Sequence, residues 1–368
     1  MSNVKAKKDI KYVGVDDGHS GTKIFAGFDI NNTPIQKIIP SIVKQGKPDY
    51  ATADQKQLDD ATIFVGDEQF VVGSQYAGSG DDLVADSYPL SGQNVALVTQ
   101  ALRDFLPNWG RKPVELSIVT GLPLGHYFDK VLETPNSELI EQKRKNIARI
   151  ESAYSPADNN VPMFELASNR VQPEGWGSVL DDIFTEKADP TERYGIVKEY
   201  GAVVIDIGGR TVDTMVVLAQ AMTPKYKDVH TYDLGILFMH RDLSDTIMQL
   251  EKTNQPIPRE RLEQTIQTGK YGRGKNQRDY SELVKKTLDS HAQAIFNQVK
   301  SVIGRPEVEG GVLITGGGAE LLGSRLKELI EDYNKKADVF IPVDPVYSNA
   351  RGFWKTAKLT AKKSDTSS

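Results

Sequence analysis

The chain reads as an α/β protein of two domains, and three observations lead there. β-Branched apolar strands crowd the first third, helical and strand patterns alternate through the rest, and a strand–glycine turn–strand stretch occurs twice. The two stretches are Tyr12 to Lys23 (YVGVDDGHSGTK) and Ala202 to Val217 (AVVIDIGGRTVDTMVV), and their matching aspartates, Asp16 and Asp206, lie 190 residues apart. A length of 368 residues accommodates two cores.

In chain order, residues 1–10 are polar and lysine-rich and read as a loose tail. Residues 12–15, 23–28 and 35–39 read as three strands of a meander, and the breaker-rich residues 45–61 as a surface loop. Ile63 to Gly73 reads as a hairpin. Val95, Val98, Ala101, Leu102 and Phe105 recur at helical spacing over residues 94–106. Leu116 to Val119 is a strand followed by a loop, and residues 136–154 are helical. Within that helix Lys143, Arg144, Lys145 and Arg149 read as a solvated basic face, or else a partner contact. A break at Glu174 to Ser178 divides the chain into 1–176 plus 345–368 and 177–344. The second part begins with strands at Val203 to Ile207 and Thr214 to Leu218. Helices follow near 236–250, 258–269 and 280–303, then a strand at Val312 to Thr315, a helix over 321–335 and a short strand at 339–342. Residues 347–359 read as a returning helix, and the last seven residues as a disordered tail.

The paired turns carry the chemistry. A tight glycine turn between two strands brings backbone N–H groups close to an anion. An aspartate at each turn suits Mg²⁺, which takes oxygen ligands and keeps much of its water. The competing reading of either turn alone is an ordinary hairpin with a solvated Asp. A third turn, Val312 to Gly323 (VLITGGGAELLG), feeds a strand into a helix through Gly316, Gly317 and Gly318. That arrangement sets helix N–H groups at a strand end, or serves only as a packing turn. Neither the P-loop nor the dinucleotide spacing is present.

These segments together resemble the actin, Hsp70 and sugar-kinase superfamily, and within it the ParM/StbA-type plasmid-segregation actin-like ATPases. The resembling pieces are VDDGHSGTKI, VTGLPLGHYFDK (Val119 to Lys130), RVQPE (Arg170 to Glu174), VIDIGGRTVD, ITGGGAEL and YSNARGFW (Tyr347 to Trp354). They span nearly the whole chain in family order. The resemblance implies an actin-like two-domain ATPase fold with ATP, or GTP, and Mg²⁺ in the interdomain cleft.

By that resemblance Gly18, Ser20, Gly21, Thr22 and Lys23 form the first phosphate loop, and Gly208, Gly209, Arg210 and Thr211 the second. Asp16 and Asp206 hold Mg²⁺ through water. Glu174, in the Pro173–Glu174 turn, orients the attacking water; otherwise it is a helix N-terminal glutamate stabilised by the dipole. Gly235 and Gly316 to Gly318 line the nucleotide. Residues 267–275 supply base contacts or form a basic surface loop. Asp17 is expected to point the other way from Asp16, Asp213 to have a secondary acidic role, and His19 to be a tolerated turn residue. Arg210 departs from the threonine frequent in this branch; it adds a phosphate contact or points to solvent.

Bulk properties bound the partners. Net charge is −5, with no cysteine. No disulfide framework or thiolate metal site is available, and an acidic chain lacks the footprint of a direct DNA binder. No apolar run approaches the ~18 residues of a membrane span. The resemblance implies a bacterial cytoplasmic protein that binds itself in filaments and reaches DNA through a centromere-binding adaptor. Two competing classes share the fold. A small-molecule kinase would need a catalytic Asp, for which only Asp129 stands near. A chaperone-like ATPase would need a peptide-binding region beyond the short tail.

Overall fold

The computed structural model describes residues 9–48, 54–78, 80–81, 83, 85, 87–110, 113–129 and 131–366. The tail reading over residues 1–8, part of the loop reading (49–53), Lys130 and the last two residues lie outside the described residues. The chain divides into two compact units, Met1–Gly195 with Tyr347–Ser368, and Ile196–Val346.

The strands of unit 1 are β1 (Lys11–Asp17), β2 (Gly21–Phe28), β3 (Pro34–Pro40), β4 (Val43–Gln45), β5 (Thr62–Val65), β6 (Glu68–Val72), β7 (Val114–Leu122), β8 (Phe128–Asp129), β9 (Thr134–Pro135) and β10 (Phe164–Pro173). The main sheet has the order β10-β7-β1-β2-β3. Its β1–β7 and β7–β10 pairs are parallel, and β1–β2 and β2–β3 antiparallel. Unit 2 contributes β11 (Ala202–Ile207), β12 (Val212–Val217), β13 (His230–Tyr232), β14 (Lys270–Tyr271), β15 (Arg278–Asp279), β16 (Val312–Thr315) and β17 (Val339–Phe340). Its main sheet runs β17-β16-β11-β12-β13, again parallel on one side of β11 and antiparallel on the other. The two units therefore share one strand order and one set of directions. Both glycine turns occupy the same place, between the first two strands of their meander.

Both faces of the central strands are covered, as parallel pairing requires. In unit 1, Val13, Val15 and Ile24 join the helix Gly92–Arg103 in one core, while Phe25 packs with Ala350 and Trp354 of the helix Ser348–Thr366 on the other face. That last helix lies against the β1 backbone. A Cβ on Gly14 would fall 1.9 Å from the Ala350 carbonyl oxygen, and one on Gly352 would fall 1.7 Å from that of Gly177. Unit 2 packs its sheet against helices Ile236–Glu251, Arg259–Thr268, Ser281–Ile303 and Ala319–Tyr333. Val284, Leu288, Ala292, Ile295, Val299 and Val302 all face inward.

Several expectations need correction. Residues 55–61 are helical, capped by Asp54, whose carboxylate accepts from Gln57 N at 3.1 Å. Gln, Lys, Leu and Ala favour a helix once a cap is present. The strand expected to stop at Val119 continues to Leu122, because β10 pairs with it throughout. β10 itself was not foreseen; its alternating polar residues give little strand signal in isolation. The final helix runs on to Thr366, through much of the stretch read as a tail. The expected division at residue 177 also differs from the structural one. Residues 177–195 pack with unit 1, where Asp181 takes Lys355 at 2.8 Å and Arg351 at 2.8 Å.

One buried base gives a stability prediction. His240, on the helix Ile236–Glu251, is 5% exposed, and neither ring nitrogen has a hydrogen-bond partner. Burial, then the charge of Arg259, lowers its pKa to about 4, against a smaller opposing pull from Glu263. A depressed pKa means that the unfolded chain takes up the proton first. The associated stability is present above the unfolded value, near 6.5, and is lost as pH falls to about 4. The loss amounts to about 3 kcal/mol. Denaturant unfolding of His240→Leu at pH 7 and pH 4.5 should show a smaller loss than wild type. An equal loss in both would contradict it.

Candidate functional site

Unit 1 gathers candidate residues at the carboxyl ends of β1, β7 and β10. Asp16 stands directly across the ladder from Lys23, and Lys23 Nζ lies 3.2 Å from Asp16 Oδ2. Both are buried. Burial pushes the Asp16 carboxyl above its ordinary value, and Lys23 opposes this most strongly. The lysine folds back over the turn: a Cβ on Gly18 would sit 3.3 Å from Lys23 Nζ. Ser41 fastens the turn from outside, donating its hydroxyl to Gly18 O at 2.7 Å, while its backbone N donates to Ser20 O at 3.3 Å. Gly18, His19 and Ser20 are half-buried at the edge, and the His19 ring lies 5.1 Å from that of Tyr88. Thr22 lies deeper than the rest of the expected phosphate loop. It sits inside β2, paired with Asp17, and is fully buried, so its hydroxyl is withdrawn from the turn.

Asp17 points away from Asp16, as strand alternation demands. Its carboxylate takes the Asn94 amide at 2.6 Å and the ammonium of Lys143. Lys143 is fully buried and also donates to Pro89 O at 3.0 Å and Asn94 Oδ1 at 2.9 Å. This overturns the solvated-face reading for that residue; Arg144 and Lys145 do remain exposed, beside Glu141. Helical position alone carried no sign of it. A lone lysine on the same face as Ile147 was the available signal.

Glu174 follows β10 directly, and its N–H donates to Leu122 O at 3.0 Å. The side chain lies over Gly121, where an added Cβ would come within 3.0 Å of Glu174 Cγ. Gly175 next takes a left-handed φ of 75°, which glycine adopts without strain. Asn349 Oδ1 accepts from Gly175 N at 2.9 Å, Ser178 N at 3.2 Å and Ser178 Oγ at 3.0 Å. Asn349 was not singled out from the sequence. Asp129 Oδ1 accepts from Val131 N at 2.8 Å and Leu132 N at 2.9 Å, so it shapes its own β8–β9 turn.

Unit 2 has an equivalent turn of its own. Asp206 ends β11, buried, across from Asp213 on one side and Thr315 on the other. Gly208 to Thr211 form the half-buried turn, closed by Gly208 N donating to Thr211 O at 2.8 Å. The following helix is keyed onto this turn: Gly235 N donates to Arg210 O at 2.8 Å, Ile236 N to Gly208 O at 3.1 Å and Leu237 N to Gly209 O at 2.9 Å. A Cβ on Gly235 would strike Gly209 O at 2.3 Å, which explains the glycine. Thr211 Oγ1 donates to Asp213 at 2.7 Å and Thr231 Oγ1 does so at 2.5 Å. Asp213 is therefore a structural anchor, and the Thr211 hydroxyl is engaged by it. Arg210 Nε lies 3.7 Å from Asp233 rather than pointing unpaired to solvent.

The three glycines divide their roles. A side chain on Gly316 would fall 2.2 Å from Asp206 Oδ1, and one on Gly318 would fall 2.3 Å from Ile207 Cγ2. Gly317 is half-exposed and has no protein atom within 4 Å of that position, so its surface is open to a ligand. Within residues 267–275, Thr268 and Lys270 to Gly274 line a cavity of about 440 Å³ with Arg261 and Gln264, and the Arg261 guanidinium sits 5.1 Å from the centre of the Tyr271 ring. The segment thus borders a cationic cavity rather than a flat surface.

Two family descriptions match the chain: "Actin like proteins N terminal domain" over residues 14–177 and "Archaeal actin homologue MreB-like, C-terminal" over 204–328. The chain belongs to the actin-like proteins. Solved structures of this fold agree. The actin-like protein Alp7A superposes with a TM-score of 0.71 at 16% identity, covering 96% of this chain and 97% of that one. A ParM from Clostridium botulinum, in a 15-stranded filament, gives 0.68 at 21% identity, covering 95% and 99%. The archaeal actin homologue Ta0583 in complex with ADP gives 0.65 at 21%, covering 94% and 99%. No curated protein sequence matches significantly. Among the described residues of this actin-like chain, no helix is long and apolar enough to cross a membrane.

The buried pair beneath the first turn is testable. Removing Lys143 leaves the Asp17 carboxylate buried without its counter-ion, which costs about 3–5 kcal/mol. Lys143→Ala should lower the denaturant midpoint accordingly, whereas a solvated lysine would shift it by about 0.5 kcal/mol or less.

Proposed function

We propose that this actin-like protein binds an adenine or guanine nucleoside triphosphate with Mg²⁺, hydrolyses it, and assembles into filaments as it does so. One observation carries the reading: the same sheet occurs in both units, and each places a buried aspartate and a half-buried glycine turn between its first two strands. One turn alone is a hairpin. Two equivalent ones suit phosphate binding by backbone N–H groups. The ADP of the archaeal homologue and the filament of the clostridial ParM support nucleotide binding and self-assembly in this fold.

The donor set suits Mg²⁺. Asp16 and Asp206 each offer one carboxylate at a strand end, as a hydrated ion needs. The ion would neutralise phosphate charge. Lys23, already over Gly18, is placed to share an oxygen of the β- or γ-phosphate as a point charge. Arg210 would leave Asp233 for phosphate. Open backbone at Gly317 admits the nucleoside side of the ligand. Glu174, braced against Gly121, would accept a hydrogen bond from the attacking water and align it. Asp129 caps its own turn, which argues against its serving as a kinase base. Plasmid partition through a DNA-binding adaptor, in the bacterial cytoplasm, fits the acidic charge and the ParM likeness.

Assembly follows from linkage. A nucleotide that favours one conformation strengthens any subunit contact preferring that conformation, and a heterologous contact that does not close grows into a helix. Purified protein with Mg²⁺ and ATP or GTP should pellet above a micromolar-scale threshold and release phosphate. A protein that hydrolyses nucleotide yet stays monomeric at every concentration would favour the small-molecule kinase. Glu174→Ala should slow phosphate release about 100-fold or more while nucleotide still binds, and its polymers should outlast those of wild type. Unchanged phosphate release from the assembled variant would remove Glu174 from this role.

A further inference from the structure

The cluster in unit 1 depends on one side chain from the far end of the chain. Asn349 is the second residue of the helix Ser348–Thr366 and is 4% exposed. Its Oδ1 collects three donors from the turn after Glu174: Gly175 N at 2.9 Å, Ser178 N at 3.2 Å and Ser178 Oγ at 3.0 Å. An oxygen so occupied leaves the amide NH₂ as donor on the other side. Hydrogen bonding from the Asn349 side chain favours the charged form of Asp16, the smallest of the influences on that carboxyl. The backbone allows no slack. Cβ atoms on Gly177 would fall 2.8 Å from Asn349 O, and those on Gly14 1.9 Å from Ala350 O, so the helix start is pressed against both the Glu174 turn and β1. Asp16 lies on β1 and Glu174 directly follows β10, two places away in the sheet with β7 between. Nothing in the ladder sets their side chains relative to each other.

We propose that Asn349 is a positioning residue that couples the two carboxylates, holding the Asp16 carboxylate with its amide while its oxygen fixes the backbone that carries Glu174. This rests on the nucleotide-hydrolysis reading for its consequence, not for its geometry. Asn349 acts by making the aspartate and the glutamate move as one body, so that a displaced C-terminal helix would misplace both together.

Two substitutions separate the bonds. Asn349→Asp keeps the shape and the acceptor oxygen but replaces the amide donor with a second carboxylate beside Asp16, near Asp17 and Lys23. Asn349→Ala removes both. Amide hydrogen exchange of the protein without nucleotide reads the tether directly. Gly175 and Ser178 should stay protected in wild type and Asn349→Asp and exchange at least about tenfold faster in Asn349→Ala. Steady-state hydrolysis reads the coupling: Asn349→Asp should lose about tenfold or more in kcat with KM changed by less than about threefold, since misplacement costs rate more than binding. A purely structural asparagine gives the opposite ranking, with Asn349→Asp near wild type. Wild-type kcat in Asn349→Asp, or wild-type protection in Asn349→Ala, overturns the proposal. Should Asn349→Asp fail to fold, Ser178→Ala removes one donor from the same oxygen; faster Gly175 exchange with lowered kcat supports the coupling, and no change in either overturns it. If wild type hydrolyses no nucleotide, the functional reading fails, and the exchange measurement still decides the tether.

Discussion

A carboxylate buried at the end of a strand must be given a cation or donors, or it will take up a proton. This protein ends its central strands with four such groups, Asp16, Asp17, Asp206 and Asp213, all nearly out of solvent. Much of the architecture around the turns supplies their partners. Lys23 comes from the neighbouring strand and Asn349 from the last helix. Lys143 and Asn94 come from two helices of unit 1. Thr211 and Thr231 flank Asp213. Each compensating group ties a different element to the same strand end, so the electrostatic requirement also places the helices.

The aspartates of each pair have divided roles, through strand alternation in unit 1 and through different partners in unit 2. In unit 1, Asp16 faces Lys23 and the turn, while Asp17 is sealed against Lys143. In unit 2, Asp206 lies beside Gly316 and Asp213 is locked by two hydroxyls. One carboxylate of each pair thus stays near its turn and the other holds the turn in place. The glycines follow the same economy. Gly14, Gly177 and Gly352 let the C-terminal helix press on backbone, and Gly121 leaves room for Glu174. A helix that closes the chain thereby reaches a strand that opens it.

Much of this was legible in the amino-acid order. The paired glycine turns with Asp16 and Asp206, the Gly316 to Gly318 turn, and the helix with Val284 to Val302 inward all carry local signals: a breaker between β-branched runs, or a 3.6-residue period. Those signals survive folding because they are properties of a few adjacent residues. Likewise the helix expected near 236–250 forms at Ile236–Glu251.

Tertiary structure alone decided the rest. Lys143 looks like its exposed neighbours Arg144 and Lys145 until Asp17, 126 residues away, is brought against it. Asn349 is one polar residue in a helix until Gly175 and Ser178 arrive across more than 170 positions. Thr22 and Thr211 carry the same hydroxyl, yet one is buried in a strand and the other spent on Asp213. The boundary at residue 195 follows from Asp181 meeting Arg351 and Lys355. In each case the partner is distant in sequence. A pairing between distant residues leaves no period, cap or breaker for the local order to display, so only packing could reveal which polar residues serve the core and which the site.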